Sequence, residues 1–399
     1  MRPEGSLDVV VIGGGPAGAA AAARLAQAGL SVTVLERHVD PRPKVCGEFL
    51  SPECSIYLGR IGAGEAFRCL PAVPIETVGL YWGRRAVTAD LNPPAWGLSR
   101  FVFDDWLLQW ASLCGAQVLQ GYEATAVFRV DDGFCVRARH VRDLTEVEFR
   151  TRFVAGAFGV KSGAAVPLAG LAPPHRQKGG FIAFSAHLRC PAVDRRVELY
   201  FLERGYIGLA SVEAGRVNLA GIVEPTFFRR LGARFPTLLE YLTERNPAFR
   251  ERLHGASDWT AFRATVHPGF GPRRRVWNGV ALIGDQAGCI HPFSGDGIGM
   301  ALQSALLWAE HVLEALADRL RPEVILERYD RQWRQTLAAR LRMTHWLDWL
   351  RRRSRGLSIT LDIMERYPSL LMWIYRRTRG LVSPSRGEGS GGPGCAGSP

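Results

Sequence analysis

The 399-residue sequence predicts an α/β fold with three parts: a mostly parallel sheet flanked by helices, an inserted antiparallel sheet and a C-terminal helical region. Three observations predict it. An apolar run at 9–12 passes through Gly13-Gly14-Gly15-Pro16-Ala17-Gly18 into an alanine-rich stretch, and Val32-Thr33-Val34-Leu35-Glu36 follows. Four β-rich runs at 180–188, 197–202, 206–212 and 217–223 are joined by short turn-like connectors such as Glu203-Arg204-Gly205. From 323 onward the chain has helical patterning, rich in arginine and tryptophan.

The first unit reads as strand, glycine turn, helix, strand, acid. Gly13 permits the tight turn, Gly15 lets the backbone approach a pyrophosphate, and Gly18 lets helix and strand pack closely. The helix opening at Pro16 and Ala17 directs unpaired N–H groups and a positive dipole end at phosphates. Glu36, at the end of the second strand, suits a ribose 2′-OH. A Rossmann-like dinucleotide site follows from the complete unit, where an isolated GxGxxG would not suffice. Arg37 and Arg100 are candidate phosphate or adenine contacts, because a guanidinium is planar and always charged.

Downstream, a buried-strand run at 280–283 ends in Gly284-Asp285, whose carboxylate suits a polyol chain. The turn Gly295-Asp296-Gly297-Ile298-Gly299 then opens an apolar helix over 298–317. Its N–H groups would serve an electron-rich target, such as a ring edge that gains negative charge on reduction. In between, a helix is expected from Arg100 to 113, with Asp104 and Asp105 in its first turn. A parallel strand should follow at 115–119 and a small hairpin at 134–138 and 146–149. Two helices are expected at 227–246 and 247–254.

With these motifs in place, the sequence resembles the FAD-binding proteins of the para-hydroxybenzoate hydroxylase fold, over roughly residues 7–310. Within that group Lys44-Val45-Cys46-Gly47-Glu48 is similar to the Lys-x-Cys-Gly loop of the geranylgeranyl reductase family. Ser99-Arg100-Phe101-Val102-Phe103-Asp104 is similar to the group's Arg-x-x-Phe-Asp helix start. The resemblance implies non-covalent FAD, gripped by Gly13, Gly15, Pro16, Ala17, Gly18, Glu36, Arg37, Arg100, Gly284, Asp285, Gly295, Gly297, Ile298 and Gly299. It also implies that Cys46 faces the flavin ring. Two positions depart from the pattern. Phe158 stands where the middle motif carries an aspartate, and Tyr206 survives from a substrate strand whose tryptophan and Phe-Pro pair are absent. The second departure points to a substrate other than the family's typical one.

The implied organisation is a discontinuous FAD-binding domain (1–61, 95–165 and 276–320), a substrate domain (62–94 and 170–275), C-terminal helices (321–382) and a disordered tail (383–399). Hydrophobic content of 47% and charged content of 22% are ordinary for a soluble globular chain. The net charge of +12 suits an anionic partner, yet no nucleic-acid-binding signature accompanies it. Eight cysteines include no CxxC pair, and no His/Cys cluster has zinc spacing, so neither a metal site nor a disulfide framework is expected. A reducing cytoplasm is the simpler setting.

No dedicated acid or base stands out, in keeping with a cofactor that carries the hard chemistry. Cys46 is the catalytic candidate, as a thiol able to protonate a carbon opposite a hydride. Glu48 reads as a surface carboxylate, and Tyr206 and His291 are candidate pocket residues. The expected activity is redox chemistry on a lipophilic small molecule, with reduction of a carbon–carbon double bond preferred. The rivals are oxygen insertion and a flavin-binding scaffold without turnover. NAD(P)H is one candidate electron donor. The C-terminal arginine- and tryptophan-rich helices read either as a cap with a solvated arginine face or as a peripheral membrane contact.

Overall fold

The computed structural model describes residues 7–131, 133–160, 180–191, 193–318 and 320–379. Lys161 and Ser162 of the middle motif and the tail at 383–399 lie outside the described residues.

The strand Leu7–Ile12 forms the middle of the first sheet. In spatial order the sheet runs Val276–Trp277, Val280–Leu282, Glu146–Gly156, Leu7–Ile12, Val32–Glu36 and Gln117–Gln120. The last five are parallel, in registers such as Val10↔Thr33 and Val10↔Val154. Parallel strands are covered on both faces and so read as unbroken apolar runs. Val9, Val10 and Val11 are accordingly fully buried.

One face carries helices Pro16–Gln27, Arg100–Leu113 and Gly297–Ala317. The first of these is alanine-rich and buried around most of its circumference, because it is wedged between its two neighbours and the sheet. The other face carries an antiparallel meander, Tyr122–Val130, Gly133–His140 and Glu146–Gly156. Its last strand is also the parallel partner of Leu7–Ile12. The hairpin expected at 134–149 therefore runs longer and splices into the central sheet. The helix at Arg100 is capped by Ser99, whose Oγ accepts from the Val102 N–H at 3.3 Å. Asp104 and Asp105 consequently fall in its second turn rather than its first.

The second sheet has eight strands, ordered Arg263–His267, Phe181–Leu188, Arg216–Val223, Gly205–Val212, Arg196–Leu202, Val73–Trp82, Arg85–Gly97 and Phe49–Leu50. Neighbours are antiparallel except Arg196–Leu202 and Val73–Trp82, which run parallel. Its outer face packs on Pro225–Arg230, Phe235–Arg245 and Pro247–Leu253. The single helix expected over 227–246 is split, because Gly232 and Ala233 adopt φ of +77° and +55° and leave the right-handed helical region.

The inner face looks toward the helices Pro322–Arg351, Ser354–Arg366 and Pro368–Arg377. Leu357, Leu361, Met364, Leu371 and Tyr375 of these helices are buried against Phe49, Val78, Phe201 and Tyr206. The solvated arginine face is only part of the picture: Arg340, Arg351 and Arg379 are buried. Among the described residues no helix is long and apolar enough to cross a membrane.

Candidate active site

Two glycine turns open onto one cavity of about 1080 Å³ that extends to the second sheet and the C-terminal helices. The first turn lies at the C-terminal end of Leu7–Ile12. Gly13 has φ of +108°, and a Cβ there would stand 2.5 Å from the Ala157 carbonyl oxygen. A Cβ on Gly18 would meet the Gly13 carbonyl oxygen at 1.9 Å, so Gly18 serves close packing and does not line the cavity. Gly15 is different: nothing stands within 4 Å of its missing Cβ, and it borders the cavity with Pro16 and Ala17. No side chain caps the helix that starts at Pro16, so its first N–H groups are left for a ligand.

Glu36 borders the same space. Its Oε2 accepts from the Gly14 N–H at 2.8 Å and its Oε1 from the His38 N–H at 3.0 Å, which fixes the carboxylate beside the turn. Arg37 sits at the rim, partly exposed, 3.8 Å from Glu123. The His38 imidazole beside it is held below its ordinary pKa, chiefly by burial and then by Arg42.

The second turn follows Val280–Leu282. Gly284 has φ of +63° and donates its N–H to Ser304 Oγ at 2.7 Å. Asp285 borders the cavity, and burial raises its carboxyl pKa against the pull of Arg273 and Arg100. Gly295, Gly297 and Ile298 line the cavity as well. The helix they open, Gly297–Ala317, also lacks a side-chain cap, and nothing stands within 4 Å of the missing Cβ of Gly297. Gly299 turns away from the cavity: a Cβ there would be 2.5 Å from Asp296 Oδ1. Two uncapped helix N-termini and an intervening carboxylate thus share one space. This donor set fits an elongated dinucleotide with a phosphate centre and an electron-rich ring edge.

The loop 44–48 crosses between these poles. Lys44 Nζ lies 2.7 Å from Asp104 Oδ2, and Arg100 forks onto the same carboxylate at 2.6 and 2.7 Å. The Cys46 thiol accepts from the Glu48 N–H at 3.4 Å. Arg100, a candidate phosphate or adenine contact, borders the cavity while two of its nitrogens pair with Asp104, because the helix start places the two residues one turn apart. Cys46 lines the cavity, and its carbonyl accepts from Asn218 Nδ2 at 2.8 Å. Glu48 is no surface carboxylate. It is 1% exposed, accepts from the Arg100 N–H at 3.0 Å and lies 2.6 Å from His187 Nε2.

Beyond Cys46 the cavity becomes apolar. Val78, Leu80, Leu199 and Phe201 of the sheet face Leu357 and Leu361 of the C-terminal helices. Tyr206 lines this part, and burial raises its phenol pKa. His291 does not line the cavity. It is buried behind the wall among Phe181, Tyr206, Phe270 and Phe293, with Nε2 3.1 Å from Asp348 Oδ1. Burial lowers its pKa to about 4. Asp348 is held well below the carboxylate range by His291 and Arg351 despite its burial.

Sequence reasoning missed the buried charges of the C-terminal helix. A signal was present: Tyr329, Trp333, Leu337, Arg340, Leu341, Thr344, Asp348 and Arg351 share one helical stripe, and all are buried. Charged residues on an apolar stripe are paired inside the protein, here Arg340 with Asp296 and Arg351 with Asp348.

The fold and the paired helix N-termini define an FAD-binding flavoprotein, and the FAD binding domain family matches residues 6–203. Digeranylgeranylglycerophospholipid reductase 2 of Methanothermobacter thermautotrophicus is 30% identical over 343 residues, covering 84% of this chain and 85% of the relative. Menaquinone reductase of Mycobacterium tuberculosis is 29% identical over 356 residues, covering 83% and 82%. The chain belongs to the geranylgeranyl reductase family of FAD-dependent oxidoreductases. Among solved structures, a geranylgeranyl bacteriochlorophyll reductase-like protein of Thermoplasma acidophilum aligns with a TM-score of 0.72 at 20% identity, over 93% of this chain and 99% of that one. The flavin-dependent brominase Bmp2 aligns at 0.79 and 18%, over 94% of each, which shows the shared fold.

Proposed function

We propose that this protein reduces a carbon–carbon double bond in a lipophilic substrate held between the second sheet and the C-terminal helices. One observation carries the reading: a single cavity is lined by both glycine turns, by Cys46 and by apolar residues of the second sheet and the C-terminal helices. Bound FAD supplies the hydride. Gly15 and the N-terminus of Pro16–Gln27 receive the pyrophosphate, Glu36 the ribose, and Asp285 the polyol chain. The N-terminus of Gly297–Ala317 takes the pyrimidine edge. Cys46 donates a proton to the second carbon, Arg100 stabilises the resulting thiolate, and solvent restores the proton. The named relatives support this reading, since both are reductases of prenyl-bearing lipids or quinones by name.

The test is anaerobic reduction of the holoenzyme with dithionite, then addition of polyprenyl lipids, quinones and phenols. Reoxidation of the flavin with a product two hydrogens heavier supports the reading. Turnover that requires oxygen and yields a hydroxylated or halogenated product overturns it. Bleaching by NADPH or NADH in the same cuvette identifies NAD(P)H as donor.

We further propose that the C-terminal helices rest on a membrane surface, where such substrates reside. Trp346, Trp349, Ile359, Ile363, Tyr367 and Trp373 are exposed there, with Arg353 stacked on Trp349 and Arg377 over Trp373. Amphipathic aromatic and basic surfaces partition to anionic interfaces. Co-sedimentation with phosphatidylglycerol vesicles that weakens with salt supports this contact; equal recovery with and without vesicles refutes it.

A further inference from the structure

Behind the Gly295-Asp296-Gly297 turn lies a cluster of buried charge that hydride transfer does not use. Asp296 is 0% exposed and Glu53, from the helix Glu53–Arg60, is 1% exposed. Arg340 Nη1 lies 3.1 Å from Asp296 Oδ2. Arg379 Nε lies 4.0 Å from Glu53 Oε1, while its Nη2 donates to the Ser294 carbonyl at 2.6 Å. Ser51 Oγ donates to Asp296 Oδ1 at 3.3 Å. Cys54, Tyr57 and Tyr375 complete the titratable surroundings, and burial raises the pKa of each, to about 12 for both tyrosines. Gly299 leaves room for the cluster: a Cβ would stand 2.5 Å from Asp296 Oδ1, 2.9 Å from Ser51 Oγ and 3.5 Å from Glu53 Cγ.

Among the described residues, neither Glu53 oxygen meets a donor N–H or hydroxyl. The Asp296 carboxyl is its buried neighbour: the two side chains border the same small space beside Gly299. Two buried carboxyls can satisfy one another only if one of them carries a proton. With that proton the cluster of two acids and two arginines has net charge +1; without it, zero.

Resting on the flavin reading above, we propose that Glu53 and Asp296 share one proton that is bound more tightly when the flavin is reduced, so that this pair couples flavin reduction to proton uptake. The physical link is short. Reduction places negative charge at the turn that Asp296 belongs to, and a negative charge nearby favours the protonated pair. The step balances: the ring gains two electrons and one proton, as a hydride from a reduced nicotinamide or as electrons from dithionite with a solvent proton, and the pair takes one further proton from solvent as one O–H bond forms. Burial and the neighbouring Glu53 carboxyl raise the Asp296 pKa to about 7, which places the titration in an accessible range.

Two measurements test this. In spectroelectrochemical titration of the holoenzyme, the wild-type midpoint potential should fall more steeply with pH above about 7 than below it. Glu53→Gln keeps a hydrogen-bond donor for Asp296 and fixes the cluster at +1. It should remove that change of slope and hold the potential above wild type at alkaline pH. In infrared titration of the wild-type protein, a buried carboxylic-acid carbonyl stretch should disappear between about pH 6 and about pH 9. That band should be absent in Glu53→Gln and in Asp296→Asn. An unchanged slope in wild type, a slope change that survives Glu53→Gln, or the absence of a titrating band each overturns the proposal. If no FAD binds, the flavin reading itself falls, and the infrared band still decides whether the pair shares a proton.

Discussion

Cys46, in the loop 44–48, lines the same cavity as Arg100 and the two glycine turns. Losing a positioned general acid typically costs a factor of 10² to 10⁴. Cys46→Ala should therefore lower anaerobic turnover by roughly 10²-fold while the flavin spectrum and FAD affinity stay unchanged. Unchanged turnover would remove the thiol from the mechanism. Gly13→Ala should act on binding and stability together, because φ of +108° and the 2.5 Å approach to Ala157 leave no space for a methyl. A cost of about 1–3 kcal/mol in denaturant unfolding, with loss of FAD retention, is expected. His291 gives a pH prediction with a definite sign. Its folded pKa of about 4 lies below the unfolded value near 6.5, so the unfolded chain binds the proton more tightly. Stability should fall as pH drops from about 6.5 to about 4, by about 3 kcal/mol in all. His291→Gln should flatten the melting temperature across that window; a profile as steep as wild type would refute the assignment.

At the scale of elements, the helix at Pro16 lacks a side-chain cap because its N-cap is Gly15, and the helix at Gly297 because its N-cap, Asp296, turns its carboxylate to Arg340 and Ser51. The first was legible in the sequence, since glycine spacing encodes a backbone requirement; the second was not. The path of the C-terminal helices was also less legible. Arginine runs announce charge, not direction, and the buried partners Asp296 and Asp348 come from a turn some forty residues earlier in the chain and from the same helix. Asp348 holds Arg351 and Arg352 and faces His291. Asp348→Asn strips the buried Arg351 of its counter-charge. A loss of about 3–5 kcal/mol is expected, read as a lower urea midpoint. The Trp346–Trp373 aromatic surface should become more accessible to a quencher before the flavin is released. Flavin loss first would show that these helices are held by something other than this ion pair.

The whole molecule is two sheets facing a shared space, with the C-terminal helices as the remaining wall. Leu361 is 1% exposed and lines that wall. Leu361→Ala should raise KM for a lipophilic substrate and destabilise by roughly 2–5 kcal/mol, with FAD affinity unaffected. An equal loss of FAD affinity would mean that the two ends of the cavity are not separable. By itself, the sequence determined the parallel nucleotide-binding sheet, four of the eight strands of the second sheet and the glycine positions of both turns. Each of these is written in local backbone demands and short-range periodicity. Only the tertiary structure decided that His291 sits behind the wall, that Glu48 is buried, and that Gly299 makes room for Glu53 and Asp296. Those outcomes depend on which distant charges are taken out of water together. Residue type does not reveal a partner dozens or hundreds of positions away, because the free energy that selects the pair exists only once the chain has closed around it.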